Sequence, residues 1–514
     1  MAKQEYGYCP LGVDYSQPPH QLPDGALADG RNVYPNSGGL ITGRKGSVRL
    51  NSTSLAAAVL SVFEYRSGAT RNQLCNYSTK VAVYDSGTGD FVDKIVGLTN
   101  GKMYQWVNFA GKAIGVNEGS DAPQYWTDDA NKGVLAGSPP SGVTVAEWAN
   151  RLWFGGDAAE VARLTGSVLN DPTDYTIATT ATAAIQAFVG DKGDKITGVF
   201  PFFDSLLVGK LNNIYRVTGD PPTDQTTLAI KPLYTGNDNA GFTSPWAITQ
   251  VGNDVVFQDG FDIKALSGIQ EYGDVEYTSI IPHFRGYLES IADKDYLQYT
   301  QFFHYKQNKQ IWVSIPTSAT ARFVFVLDYQ FYPQTKRYAV FPMYGVTVRS
   351  FGGFEDGEVA NMYFGDGTGY VSQLDTGNDD SGTAIERYFV QMASANKIYN
   401  NRMYDQRANH EWRKQFNDID AYFYSEQAAL SMTPYYATDL MDPEQVRTSG
   451  NYTALTAETV TGWQGAGIKH KRLRLFGING KTLALKWRHN TVAQNFVCYP
   501  SSINFAIKSR NHLY

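Results

Sequence analysis

The glycine-rich string Gly477-Ile-Asn-Gly480-Lys481-Thr482 has the residue types of a phosphate loop, in which backbone N–H groups cradle phosphate and a lysine reaches it. Its spacing fails, because the earlier glycine stands too close to Gly480-Lys481 and strand-like alternation follows where a helix is needed. It reads as a hairpin turn. Gly365-Asp-Gly367-Thr-Gly369 likewise leaves one strand and enters another, so it is a turn and not a dinucleotide site. No serine has glycine at both i±2 positions, which removes a nucleophile elbow. His410-Glu411 is followed by Trp-Arg-Lys and lacks the second histidine of a zinc-protease helix. Asp259 and Asp262 fall in a turn, where aspartate serves its own backbone. Paired acids in a central pocket, as a propeller glycosidase needs, are not visible from sequence spacing, and the Ser-x-Asp-x-Gly-x-Thr-Trp turn of sialidases is absent. Cys9, Cys75 and Cys498 are too far apart for a zinc knuckle or redox pair, and their odd number argues against a disulfide scaffold. The expectation is a non-enzyme with no catalytic, cofactor-binding or metal-ligating residues.

The elements around these strings are strands. Between about 58 and 377 one pattern recurs: an apolar residue, a spacer, Gly, Asn or Asp, a polar or small residue, then three mostly apolar ones. It stands as Phe109-Ala-Gly111, Trp148-Ala-Asn150, Phe202-Phe-Asp204 and Val251-Gly-Asn253, with a looser copy at Gln307-Asn308-Lys309. The turn residues 111, 150, 204, 253 and 308 are 39, 54, 49 and 55 positions apart. Each copy reads as a strand, a turn tolerant of positive φ and a buried strand, and a second turn often follows. Four strands per unit at that period predict a β-propeller. With weaker units at Leu60–Asp85 and Met362–Leu374, six to eight blades are expected.

Residues 1–57 are broken by Pro10, Pro18, Pro19, Pro23 and Pro35 and by glycines, which predicts an extended arm that is ordered only against another surface. Residues 378–514 contain period-two stretches such as Ile419-Asp-Ala-Tyr-Phe-Tyr and Leu483-Ala-Leu-Lys-Trp-Arg, the pattern of a β-sandwich. Residues 395–415 read as an exposed loop or short helix. The fold expected is therefore all-β, with the arm at 1–57, a propeller at 58–377 and a sandwich platform at 378–514.

Charged residues are 18% of the chain, below the roughly 25% usual for soluble proteins, while aromatics reach 14%. Such a surface suits burial against partners. Nine Lys and Arg but no acid lie between 459 and 514; removing them from the 44 leaves 35 against 50 Asp and Glu, a net −15 for the rest. An acidic body with a basic end can stack head to tail. The start, MAKQEYGYCPLGV, has no signal-peptide core. The longest apolar stretch, 55–63, is about half the roughly 20 residues a membrane helix needs. Neither secretion nor a membrane span is expected.

Several of these features together resemble the tail nozzle family of short-tailed bacteriophages, also called tail tubular protein B. The likeness is carried by Asp29-Gly-Arg-Asn32-Val33-Tyr-Pro35, Gly38-Gly39-Leu40 and Arg44-Lys45-Gly46, and by the 150–156 and 255–260 hairpins. The Lys471-Arg-Leu-Arg-Leu-Phe strand with Leu483-Ala-Leu-Lys-Trp looks like the family's platform. The resemblance implies a virion tail protein, assembled in the host cytoplasm into a homo-oligomeric ring, usually a hexamer, below the portal and adaptor (head-to-tail connector). Tail fibres or a needle would be further partners, and DNA would pass through the channel without specific binding. On this reading Arg31, Asn32, Arg44, Lys45, Lys469, Lys471, Arg472 and Arg474 serve assembly, the acidic body repels DNA, and the arm clamps a neighbouring subunit. The alternatives are a carbohydrate-binding propeller, as in a receptor-binding or lectin-like protein, and then a glycoside hydrolase.

Overall fold

The recurring pattern is the first hairpin of a sheet, and its turn residues show why. In the computed structural model Phe109 pairs with Lys112 and Trp148 with Arg151 across two-residue turns. Both turn residues have positive φ in each case: 49° and 73° at Ala110 and Gly111, 52° and 58° at Ala149 and Asn150. Those angles match the right-handed twist of the flanking strands. The structure describes residues 2–178, 180, 182–219, 228–233, 240–268, 275–356, 359–393, 412–427, 430–455 and 467–510. The 395–415 reading lies outside them up to 411, and Trp412 already begins a strand, Trp412–Ser425.

Among the described residues from 59 to 374 the chain builds seven sheets in sequence order, at 59–96, 105–134, 144–188, 196–232, 248–279, 301–343 and 348–374. The first five are antiparallel and four-stranded. The second strand of a sheet is often buried along its length, as in Arg151–Gly155, Ser205–Lys210 and Gln310–Pro316. A short unbroken apolar run is the signal of such a strand, because neighbouring sheets cover both its faces. Val255, Val256 and Phe257 are each 0% exposed, and burial of one such side chain stabilises by about 1.5–3 kcal/mol. Opening-strand residues of six of the seven sheets meet around one cavity, so the sheets radiate from a hub. This is the β-propeller expected.

The ring closes with borrowed strands. Ser47–Arg49 pairs with Val371–Leu374 and completes the seventh sheet from the N-terminal side. The seventh sheet packs closely on the first: a Cβ at Gly365 would stand 2.4 Å from Val59 Cγ1. The Glu355 N–H also donates to Glu64 Oε1 at 3.1 Å across this seam.

Beyond the propeller two sheets face each other. One runs Gly467–Gly480, Trp412–Ser425, Val497–Arg510, then Ile41–Gly43 and Val33–Pro35, with Ala2–Tyr6 also on Val497–Arg510. The other runs Thr453–Ala454, Thr433–Thr438, Leu483–His489, Arg387–Ala393 and Asp29–Arg31. Between them Phe416, Phe423, Leu473, Leu485, Trp487 and Phe505 form a core with exposures of 0–1%.

Two expectations are corrected. The N-terminal segment is not a free extended arm. Its short strands join the sixth and seventh propeller sheets and both platform sheets, and Cys9, Val13, Leu27 and Ile41 are 0% exposed. The surface that orders it is its own chain. The Gly480-Lys481-Thr482 string is not a hairpin turn either, since the strands it joins belong to opposite platform sheets. Asp439 Oδ1 fixes that corner by accepting from the Lys481 and Thr482 N–H groups at 2.6 and 3.0 Å.

Candidate functional site

The Asp29–Gly46 stretch builds a polar joint between propeller and platform. Asn32 has a left-handed backbone, φ 56°. Its N–H donates to Pro342 O at 3.0 Å, and its Nδ2 to Glu386 O at 2.8 Å. Its Oδ1 accepts from Arg44 Nε at 2.9 Å and from the Tyr344 N–H at 2.8 Å. Arg44 is 1% exposed and donates through Nη1 to Asp380 Oδ1 and to Lys45 O, both at 3.0 Å. Arg387, 0% exposed, donates to the carbonyls of Arg44, Asn378 and Gln494. Burial, with the charge of Arg44 beside it, lowers the Arg387 pKa to about 10. Arg31 lies 3.8 Å above the Tyr344 ring and pairs with Glu386 at 3.0 Å. A Cβ on Gly46 would come 1.8 Å from Asp379 O, so only glycine lets the 376–382 loop reach Arg44.

Arg31, Asn32 and Arg44, expected to serve assembly, all make contacts within the chain. Arg44 has no solvent access and is held by the carbonyls and carboxylate around it, while Arg31 stays about a third exposed. Lys45 is exposed.

The basic residues of Gly467–Gly480 do not form one patch. Alternation sends Ile468, His470, Arg472, Arg474 and Phe476 to the solvent face, while Lys469 and Lys471 fall on the other face, half-buried. On the solvent face Arg472 donates to Asp418 Oδ2 at 2.8 Å, and His470 approaches Asp420 Oδ1 at 3.3 Å. Desolvation pushes the Asp418 pKa upward, but hydrogen bonds from Arg472 and Asn504 outweigh it and hold the carboxyl below its usual value. Arg472 is thus paired with acids one strand away. What stands out is apolar: Phe476 is 80% exposed and Ile468 61%. Among the described residues no strand pairs with the outer edge of Gly467–Gly480.

At the propeller hub a cavity of about 250 Å³ opens among the beginnings of the innermost strands. Phe63, Trp106, Phe200 and Trp246 line it, with Ser61, Gln105 and Gln301 as polar groups. Trp246 Nε1 donates to Tyr104 O at 3.3 Å, and Gln105 Oε1 accepts from the Val145 N–H at 3.1 Å. No sequence motif pointed to this cavity. The signal present was the return of an aromatic or glutamine near the inner strand of successive units.

Among the described residues no group of three or more His, Cys, Asp or Glu is placed to hold a metal ion, and no helix is long and apolar enough to cross a membrane. Asp262, in the Asp259–Gly260 hairpin, is 3% exposed and receives Ser279 Oγ at 2.8 Å and Arg285 Nη1 at 3.4 Å.

The fold and these surfaces define an all-β propeller protein. No protein-family description matches the sequence, and no curated protein does. Among solved structures the chain is similar to virginiamycin B lyase from Staphylococcus aureus, at 12% identity and TM-score 0.38, over 64% of this chain and 97% of that one. It is also similar to the extracellular domain of a two-component system from B. thetaiotaomicron, at 11% identity and TM-score 0.42, over 73% of this chain and 42% of that one. The N-terminal domain of Nup159 matches at 9% identity and TM-score 0.40, over 67% of this chain and 98% of that one. At such distances the activities of these proteins do not transfer to this chain.

Proposed function

We propose that this chain is a non-enzymatic structural subunit of a short-tailed phage tail, a nozzle-type protein that assembles into a ring below the head-to-tail adaptor and lets DNA pass. The observation that carries the reading is the outer strand Gly467–Gly480: 14 residues with no strand on its outer side among the described residues, and with Ile468 and Phe476 exposed on its solvent face. An open edge with apolar anchors is costly on a solitary protein and useful in an assembly. The residues that carry the family resemblance, Asp29 to Gly46, support it in a second way. They lock propeller to platform, and a ring subunit needs such rigidity so that its contacts repeat at a fixed angle. The acidic remainder of the chain suits a channel wall that does not retain DNA, since attraction to phosphate retards passage. Sedimentation velocity over a range of protein concentrations tests the assembly. A single closed oligomer is expected; a monomer at every concentration refutes the reading.

A further inference from the structure

We propose that the hub cavity of the propeller is a binding site for one neutral sugar ring, independently of whether the chain forms a ring. None of the residues lining the cavity carries a charge, so an ionic ligand would be desolvated there without compensation. Gln301 lines it and is 4% exposed. Among the described residues its Nε2 has no hydrogen-bond partner. An unpaired buried amide costs about 1–3 kcal/mol, and a ligand bearing hydroxyls, which both donate and accept, relieves that cost.

The aromatic walls fit the same ligand. Trp106 is half-buried and fixed by Tyr104, whose ring stacks on it at 5.1 Å with 22° between planes. Trp246 is pinned by its bond to Tyr104 O. Rings held in place this way give the cavity rigid apolar walls, against which the C–H side of a pyranose packs at little entropic cost. Gln105, whose Oε1 is held by Val145, keeps its Nε2 as a donor for a hydroxyl. The volume, about 250 Å³, lies just below the roughly 300–1,000 Å³ of sites for drug-sized molecules, which limits the occupant to a single ring.

The test uses the full chain and saturation-transfer NMR with the methyl glycosides of glucose, galactose, mannose and N-acetylglucosamine, alongside glucuronate and indole. One neutral glycoside should receive saturation at millimolar concentration and change the tryptophan fluorescence, while glucuronate does neither. Gln301→Leu should weaken that binding roughly tenfold, the worth of one buried amide contact, without lowering the melting temperature. Should Gln301→Leu not fold, Gln105→Met gives the same reading from the other amide. Binding of indole alone, no binding of any neutral glycoside, or equal binding by wild type and variant overturns the proposal. The last result would place the sugar elsewhere on the protein.

Discussion

Removing the Arg44 side chain should loosen the joint between propeller and platform by an amount the geometry bounds. Arg44 is 1% exposed, and its carboxylate partner Asp380 has a side chain 17% exposed. Breaking a buried ion pair from one side usually costs 3–5 kcal/mol, because the other charge is left without compensation. Here water reaches Asp380 in part, and Ser47 Oγ still donates to it at 3.0 Å, so Arg44→Met should sit near the lower end, about 3 kcal/mol. Asn32 Oδ1 loses one donor but keeps the Tyr344 N–H. Arg44→Lys keeps the charge but not the fork that reaches Asn32 and Asp380 together, and should fall between wild type and Arg44→Met. Equilibrium urea unfolding of Arg44→Met, Asp380→Ala and the double variant, followed by tryptophan fluorescence, measures both the loss and the coupling. The double variant should lose about 2 kcal/mol less than the two single losses combined. A loss under about 0.5 kcal/mol for Arg44→Met, or strict additivity, refutes the joint.

Deleting residues 1–49 should give a chain that fails to fold, not a folded subunit that merely fails to assemble, because the seventh sheet loses Ser47–Arg49; circular dichroism and limited proteolysis distinguish the two. Gly365→Val should open the seam between the seventh and first sheets and lower the melting temperature, since even a Cβ would stand 2.4 Å from Val59. Asp328, 2% exposed, has its pKa raised by burial to about 6. The folded state therefore holds a proton there that the unfolded state has lost, so this group's contribution to stability falls as pH rises from about 4 to about 6, by roughly 3 kcal/mol. Asp328→Asn should remove that part of the slope and be the more stable protein at neutral pH; thermal melts of both proteins across that range check it.

The propeller was legible because its hairpins are local. Asn150 and Gly111 announce positive-φ turns, and the strands that follow them carry buried apolar runs after one basic residue. The N-terminal segment was not legible, because each of its short strands answers to a different sheet far along the chain. Arg44 meets Asp380 at a separation of 336 residues, and no sequence period encodes such a pairing. Charge counting alone does not describe Gly467–Gly480, where the bases divide between two faces and Asp418 and Asp420 pair with Arg472 on the outer one. Phe476, the most exposed large apolar residue there, lies inside the same alternating pattern and gave no separate signal. The hub cavity draws one or a few residues from each of six sheets, so its composition appears only once the ring is closed.

Electron microscopy of the purified chain, wild type beside Phe476→Asp, probes most directly whether this fold exists to join copies of itself. Closed rings with one rotational symmetry in wild type, and folded single particles in the variant, are the outcome expected. Isolated particles in both samples, or identical rings in both, would contradict the role assigned to that strand.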